Sequence, residues 1–128
     1  MTILDTHVWL WLHLAPHKLS REARRVVAGA TTIGIPAICC LELAGLAETG
    51  KIKLDRPTLE WVENALAEPR TELVPLTPAI AVTAARIGGS SLHDPADRII
   101  AATALELQAT LVTKDQKLLD FQAIKAVW

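Results

Sequence analysis

Cysteine is nearly absent from this sequence, and the two that occur stand side by side as Cys39-Cys40 inside an apolar run. Neighbouring cysteines have poor geometry for a disulfide, and neither has a Cys or His at zinc spacing. A disulfide scaffold and a zinc module are both excluded. The pair reads as small buried hydrophobes in a reducing compartment. A charge bias is also missing: 13 Lys and Arg against 14 Asp and Glu leave a net charge of −1. Bulk charge therefore argues neither for nor against a nucleic-acid partner. No long membrane-type run is present. The opening stretch, residues 1–14, is apolar but has no basic leader and is interrupted by Asp5. The run 33–47 falls short of the ~20 residues a membrane span needs and contains Pro36 and Glu42. The expectation is a cytoplasmic protein without a membrane segment. There is no repeat, low-complexity tract or linker.

What is present is an apolar fraction of 51% and a mean hydropathy of +0.30 over 128 residues. That length suits one domain over residues 1–128, large enough to bury a core. The apolar richness fits a buried parallel sheet, or a chain that hides further surface against a partner. Strands are expected at 2–5, 32–36, 72–76, 110–113 and 123–127. Helices are expected at 6–14, 21–28 (capped by Ser20), 37–48 (closed by Gly50), 57–68, 77–87 (stopped by Gly88 and Gly89) and 94–108, with one turn at 116–119. Alternating strands and helices define an α/β chain with a mostly parallel sheet of four to five strands.

In such a sheet, ligands gather at the carboxyl ends of the strands. Asp5 follows the strand residues Ile3-Leu4. Asp115 follows Leu111-Val112-Thr113 after one residue. Glu42 sits among apolar neighbours in the helix after the second strand. Asp94 and Asp97 occupy the first turn of a later helix. Carboxylates crowded at one edge repel and do not all ionise unless a cation joins them. Oxygen-only donors favour Mg²⁺ or Mn²⁺, which assist phosphodiester hydrolysis. Each acid also has a plain reading. Asp5 suits a turn, Glu42 an exposed helix face, Asp94 a helix N-cap with Asp97 in the favourable first turn, and Asp115 the cap of the turn at 116–119. The signal is their joint placement.

The start Ile3-Leu4-Asp5-Thr6-His7-Val8-Trp9-Leu10-Trp11 resembles the opening of VapC-like PIN domains. The stretch from His93-Asp94-Pro95-Ala96-Asp97-Arg98 to Ala104 resembles that family's DPxDRxIAATA segment, and Leu111-Val112-Thr113-Lys114-Asp115 its closing LxTxD motif. Glu42 matches the second acidic position. The resemblance implies a three-layer α/β/α sandwich and a Mg²⁺- or Mn²⁺-dependent endoribonuclease, the toxin of a toxin–antitoxin pair. It implies catalytic and metal-site roles for Asp5, Glu42, Asp97 and Asp115, with Asp94, Thr113 and Arg98 auxiliary. Its implied partners are an RNA substrate (tRNA, rRNA or mRNA), a VapB-type antitoxin and a second copy of the chain. Two other readings stay open: a PIN nuclease that processes RNA without an antitoxin, and a non-catalytic Mg²⁺-binding signalling or scaffold domain.

Four further features are weighed. Lys18, Arg21, Arg24 and Arg25 form a basic stripe, read as a solvated face in preference to a phosphate track. Arg98 and Lys114 either meet phosphate or neutralise the adjacent acids. Trp9 and Trp11, two apart on a helix, cannot both face one core, so one is expected inside; the other, with Trp61 and Leu54, suits a partner surface or, equally, local core packing. His7 and His93 lie near the acidic edge, whereas Pro16 between His13 and His17 disfavours a helical zinc pair.

Overall fold

A computed structural model of the chain describes residues 1–89 and 91–128; Ser90, in the Gly-Gly-Ser-Ser segment ahead of the last long helix, lies outside the described residues. The strands are β1 (Thr2–Leu4), β2 (Ile33–Pro36), β3 (Thr71–Val74), β4 (Thr110–Val112) and β5 (Ala126–Val127). The helices are α1 (Thr6–Leu14), α2 (Arg21–Gly29), α3 (Ala37–Glu48), α4 (Thr58–Leu66), α5 (Pro78–Arg86), α6 (Pro95–Glu106) and the single turn α7 (Gln116–Leu119). Short tight turns cover Pro16–Lys18 and Ile87–Gly89.

Local chemistry sets most boundaries. Ser20 accepts the Ala23 N–H at 3.0 Å and starts α2. Thr77 accepts the Ile80 N–H at 3.2 Å, with Pro78 preset at the first helical position of α5. Gly50, at φ +73°, takes the left-handed conformation that ends α3. The last strand is shorter than expected, because residues 122–124 are spent on the turn that brings β5 to the edge.

Every pairing is parallel, and the order is β3-β2-β1-β4-β5. The sheet is thus wholly parallel, where the sequence promised it mostly so. β1 lies at the centre. The chain builds outward from it through β2 and β3, then crosses to the other side for β4 and β5. The reversal falls between β1 and β4, whose register pairs Leu4 with Val112. At such a reversal neighbouring loops part to opposite faces and open a crevice at the carboxyl edge.

The core runs through the sheet, with Ile3, Leu4, Ile35, Leu111 and Val112 fully buried. Gly34 leaves room for this packing. A Cβ there would stand 2.6 Å from Ile3 Cδ1, 2.8 Å from Met1 Sδ and 3.1 Å from Val74 Cγ2. Trp9 is buried, and its ring meets Trp61 edge-on at 6.0 Å between centroids. Trp61 is only 6% exposed, so of its two readings core packing holds; α4 lays it onto Trp9. Leu54 is half-buried against the same core. The most exposed large apolar side chains are instead Leu41 on α3 and Leu59 on α4, at 68% and 69%.

Candidate active site

The crevice at the carboxyl edge is a cleft of about 550 Å³ lined by Asp5, Glu42, Asp94, Asp97 and Asp115, together with His7, Trp11, Lys114 and Lys117. All five carboxylates named from the sequence meet there. They arrive from four parts of the chain.

Asp5 is the most constrained. It ends β1 and caps α1 with no intervening loop, its Oδ1 accepting the Thr6 N–H at 2.7 Å. Its backbone N–H donates to the Val112 carbonyl at 3.0 Å, which extends the β1–β4 ladder by one residue. The β1–β4 register then places Thr113 beside it, and the Thr113 hydroxyl donates to Asp5 Oδ2 at 2.6 Å. Both carboxylate oxygens are engaged, so the side chain has one rotamer available. Burial nevertheless pushes the Asp5 carboxyl above its ordinary pKa, against the opposing pull of those two hydrogen bonds.

Thr113 is fully buried and works in two directions. Its Oγ1 also accepts the Asp115 N–H at 3.0 Å. Asp115 in turn caps α7, taking the Lys117 N–H at 2.9 Å. One hydroxyl therefore fixes two of the acids. The supporting role that the resemblance gave Thr113 takes a definite form here: the hydroxyl donates directly to Asp5.

Glu42 comes from the second turn of α3, and the buried Thr6 hydroxyl donates to its Oε1 at 2.6 Å. The sequence reading gave Thr6 no role. A signal did exist: a hydroxyl one residue past a strand-terminal Asp, on a helix packed inward, must find an acceptor when buried. Burial raises the Glu42 carboxyl, with Asp5 and Asp94 adding to the rise.

Asp94 and Asp97 part company despite their proximity in sequence. Asp94 is exposed and caps α6, accepting the Ala96 N–H at 2.9 Å. Asp97 is half-buried, one turn further on. Burial and then the charges of Asp115, Asp94, Asp5 and Glu42 push its pKa up to about 7. Among the described residues the ion pairs are Arg25–Glu22 and Arg56–Asp55, both at the surface and away from the cleft. None neutralises a cleft carboxylate.

Arg98 goes elsewhere. Its Nε donates to the Leu92 carbonyl at 2.7 Å, and the side chain lines a small apolar recess with Leu76, Pro95 and Ile99. The expectation that it faces phosphate or the site acids is corrected. Successive helix residues differ by ~100° in direction, so Asp97 and Arg98 do not share a face. His93 is exposed and does not line the cleft; His7 does. The cysteines are free, with Cys39 buried and its thiol pushed far upward by burial.

Among the described residues no group of three or more Cys, His, Asp or Glu side chains is placed as a cage that could hold a metal ion. Zinc in a structural site demands such a cage, whereas Mg²⁺ keeps several waters and takes one or two carboxylates. The donors here are all carboxylates, and burial, with four neighbouring acids adding to it, pushes the Asp97 carboxyl well above its ordinary range. That set fits a hydrated hard cation.

Fold and site together define a class: an α/β sandwich on a wholly parallel sheet, with an acidic cleft at the topological reversal. A PIN domain model matches residues 2–124. The chain is 41% identical over 116 residues to Ribonuclease VapC22 of Mycobacterium tuberculosis, covering 91% of this chain and 88% of that protein. Among solved structures, a DNA-bound VapBC from Salmonella typhimurium superposes with a TM-score of 0.74 at 21% identity, over 98% of this chain and 96% of that one. A toxin–antitoxin complex from Klebsiella pneumoniae superposes with a TM-score of 0.71 at 18% identity, over 100% and 97% of the two chains. The protein therefore belongs to the PIN-domain family, in its VapC branch.

Proposed function

We propose that this chain is a single-domain Mg²⁺- or Mn²⁺-dependent endoribonuclease, the toxin of a VapBC pair, acting in the cytoplasm and restrained by a VapB-type antitoxin. The observation that carries the reading is the convergence of five carboxylates, none of them ion-paired among the described residues, at the reversal of a parallel sheet. The VapC22 relationship supports RNA as substrate, and the VapBC neighbours support the antitoxin. Leu41 and Leu59, more than two-thirds exposed, suit burial against an antitoxin or a second copy of the chain. No helix among the described residues is long and apolar enough to cross a membrane.

Asp5 and Asp97 are the residues to hold the cation, with Glu42 and Asp115 completing the acidic set. When bound, the cation supplies a Lewis acid that acidifies water and offsets charge building on the phosphoryl oxygens. Thr113 keeps Asp5 in one orientation, so its carboxylate is preorganised before substrate arrives. Glu42, tied to α1 through Thr6, and Asp115, tied to the start of α7, orient the attacking water. Lys114 and Lys117 on the cleft wall meet the charge of the RNA backbone.

The test is cleavage of RNA by the purified chain in Mn²⁺ and in chelator, beside Asp5→Asn and Asp97→Asn. Expected is cation-dependent cleavage that each variant lowers by about a thousandfold, the scale at which loss of charge stabilisation in a site is felt. Equal cleavage by all three proteins, or cleavage that persists in chelator, contradicts the assignment.

A further inference from the structure

The cleft holds one large group that the acidic chemistry does not use. Trp11 lines it beside the carboxylates, half-buried, while Trp9 two residues earlier is sealed in the core. Two residues on a helix are ~200° apart, so α1 sends one indole inward and the other to the cleft.

The surroundings of that indole are specific. His7, one turn back on α1, leans on it at 5.7 Å between centroids and 55°. Trp128, just past β5, leans on it at 5.9 Å and 58°. Lys18 Nζ and Lys114 Nζ stand over the ring, 5.8 Å and 5.7 Å from its centroid, and Lys114 is also 6.0 Å from the Trp128 ring. Two aromatic groups steady the indole, and the two charged groups on it sit at the ends of long flexible arms. Lysines in that position swing away readily, since an exposed cation–π contact is weak. A cleft of about 550 Å³ is also within the range of pockets that take whole small molecules, and exceeds what a hydrated ion requires.

We propose that Trp11, backed by His7 and Trp128, is a stacking platform for an unpaired nucleobase of the RNA strand lying in the acidic cleft. Lys18 and Lys114 move off the ring to the flanking phosphates as the base arrives. The inference rests on the endoribonuclease reading for its substrate class, and on the geometry of the ring for the rest. An aromatic face rimmed by ammonium groups is the arrangement that holds single strands without reading their sequence, because every base has a π-face and every nucleotide a phosphate. A base inside a duplex cannot reach such a face, so the platform selects loops and single strands.

The experiment measures affinity by anisotropy with labelled eight-nucleotide RNAs, in an Asp97→Asn background that binds without cutting, and KM and kcat with native Asp97. Trp11→Leu is expected to weaken binding about ten- to hundredfold, and to raise KM by more than it lowers kcat. Trp11→Phe, which keeps a ring, recovers most of both. An abasic scan in the Asp97→Asn background that keeps Trp11 supplies a second line that does not depend on a Trp11 variant folding. One abasic position weakens binding to the native ring about tenfold, and the same position costs Trp11→Leu nothing further. If that abasic scan is flat, or Trp11→Leu binds RNA as tightly as Trp11, the platform is refuted. If Trp11→Leu keeps its RNA affinity but loosens a complex with the antitoxin, the ring belongs to a protein contact and the proposal is again refuted. Base- and Trp11-dependent binding by a protein that cuts no RNA sustains the platform while removing the nuclease reading. Cleavage indifferent to Trp11 does the reverse.

Discussion

At the scale of single residues, the site depends on hydroxyls as much as on acids. Thr113 donates to Asp5 and accepts from the Asp115 N–H, so Thr113→Val should free both acids at once. The expected result is about a 10- to 100-fold fall in kcat, the usual cost of losing a group that orients a metal ligand. Stability should fall by about 1–2 kcal/mol, since the Asp115 N–H and Asp5 carboxylate lose a buried partner. Thr113→Ser should retain most of both, measured by RNA cleavage and urea unfolding. Asp97 gives the opposite balance. Its folded pKa of about 7 lies above the ordinary value of 3.8, because of burial and four neighbouring acids. A raised carboxyl favours folding while protonated, so its contribution is complete below about pH 4 and is lost as pH rises through about 7. Asp5 and Glu42, both also raised, act in the same direction. In chelator, native protein should therefore melt lower at pH 8 than at pH 5.5. Asp97→Asn should remove part of that slope, an effect on the order of 1 kcal/mol after allowing for solvent screening of a half-buried group. Melting curves across pH for the two proteins decide it. Coincident slopes would show that Asp97 is not under the pressure described.

At the scale of elements, most of the framework was readable because strand, turn and cap signals agreed. Asp5 and Asp115 could be located from the two strands they follow, and Glu42 from an acid placed among apolar neighbours. Capping and clustering both place acids in a first turn, so the residues alone did not separate Asp94 from Asp97, and the family resemblance is what ranked Asp97 first. In the structure both line the cleft, but Asp94 is exposed and also caps the α6 N-terminus, whereas Asp97 is half-buried. Arg98 was misplaced for a related reason, as adjacency in sequence suggests a shared site where the helix sends neighbours apart. Trp61 stayed open between core and partner surface because nothing local says that α4 folds back onto Trp9. Gly34 carries the closest packing between strands. Gly34→Ala should cost about 1–3 kcal/mol of overpacking in β2, seen as a lower urea midpoint, although parts of Ile3, Met1 and Val74 can yield. A neutral substitution would mean that the centre of the sheet is looser than drawn.

At the scale of the whole molecule, the parallel sheet collects acids from distant parts of the chain, and among the described residues no ion pair neutralises them, although Lys114 and Lys117 line the same cleft. The fold thereby sets up an electrostatic demand that the proposed divalent cation would relieve. Calorimetric titration of Mn²⁺ into the metal-free chain tests this most directly. With the Asp97 pKa pushed up to about 7, cation binding near neutral pH should release protons, read as a dependence of the heat on the ionisation enthalpy of the buffer. The release should shrink toward zero at pH 8.5 and be absent in Asp97→Asn. Failure to bind Mn²⁺, or binding with heat independent of the buffer at pH 7, would contradict the account.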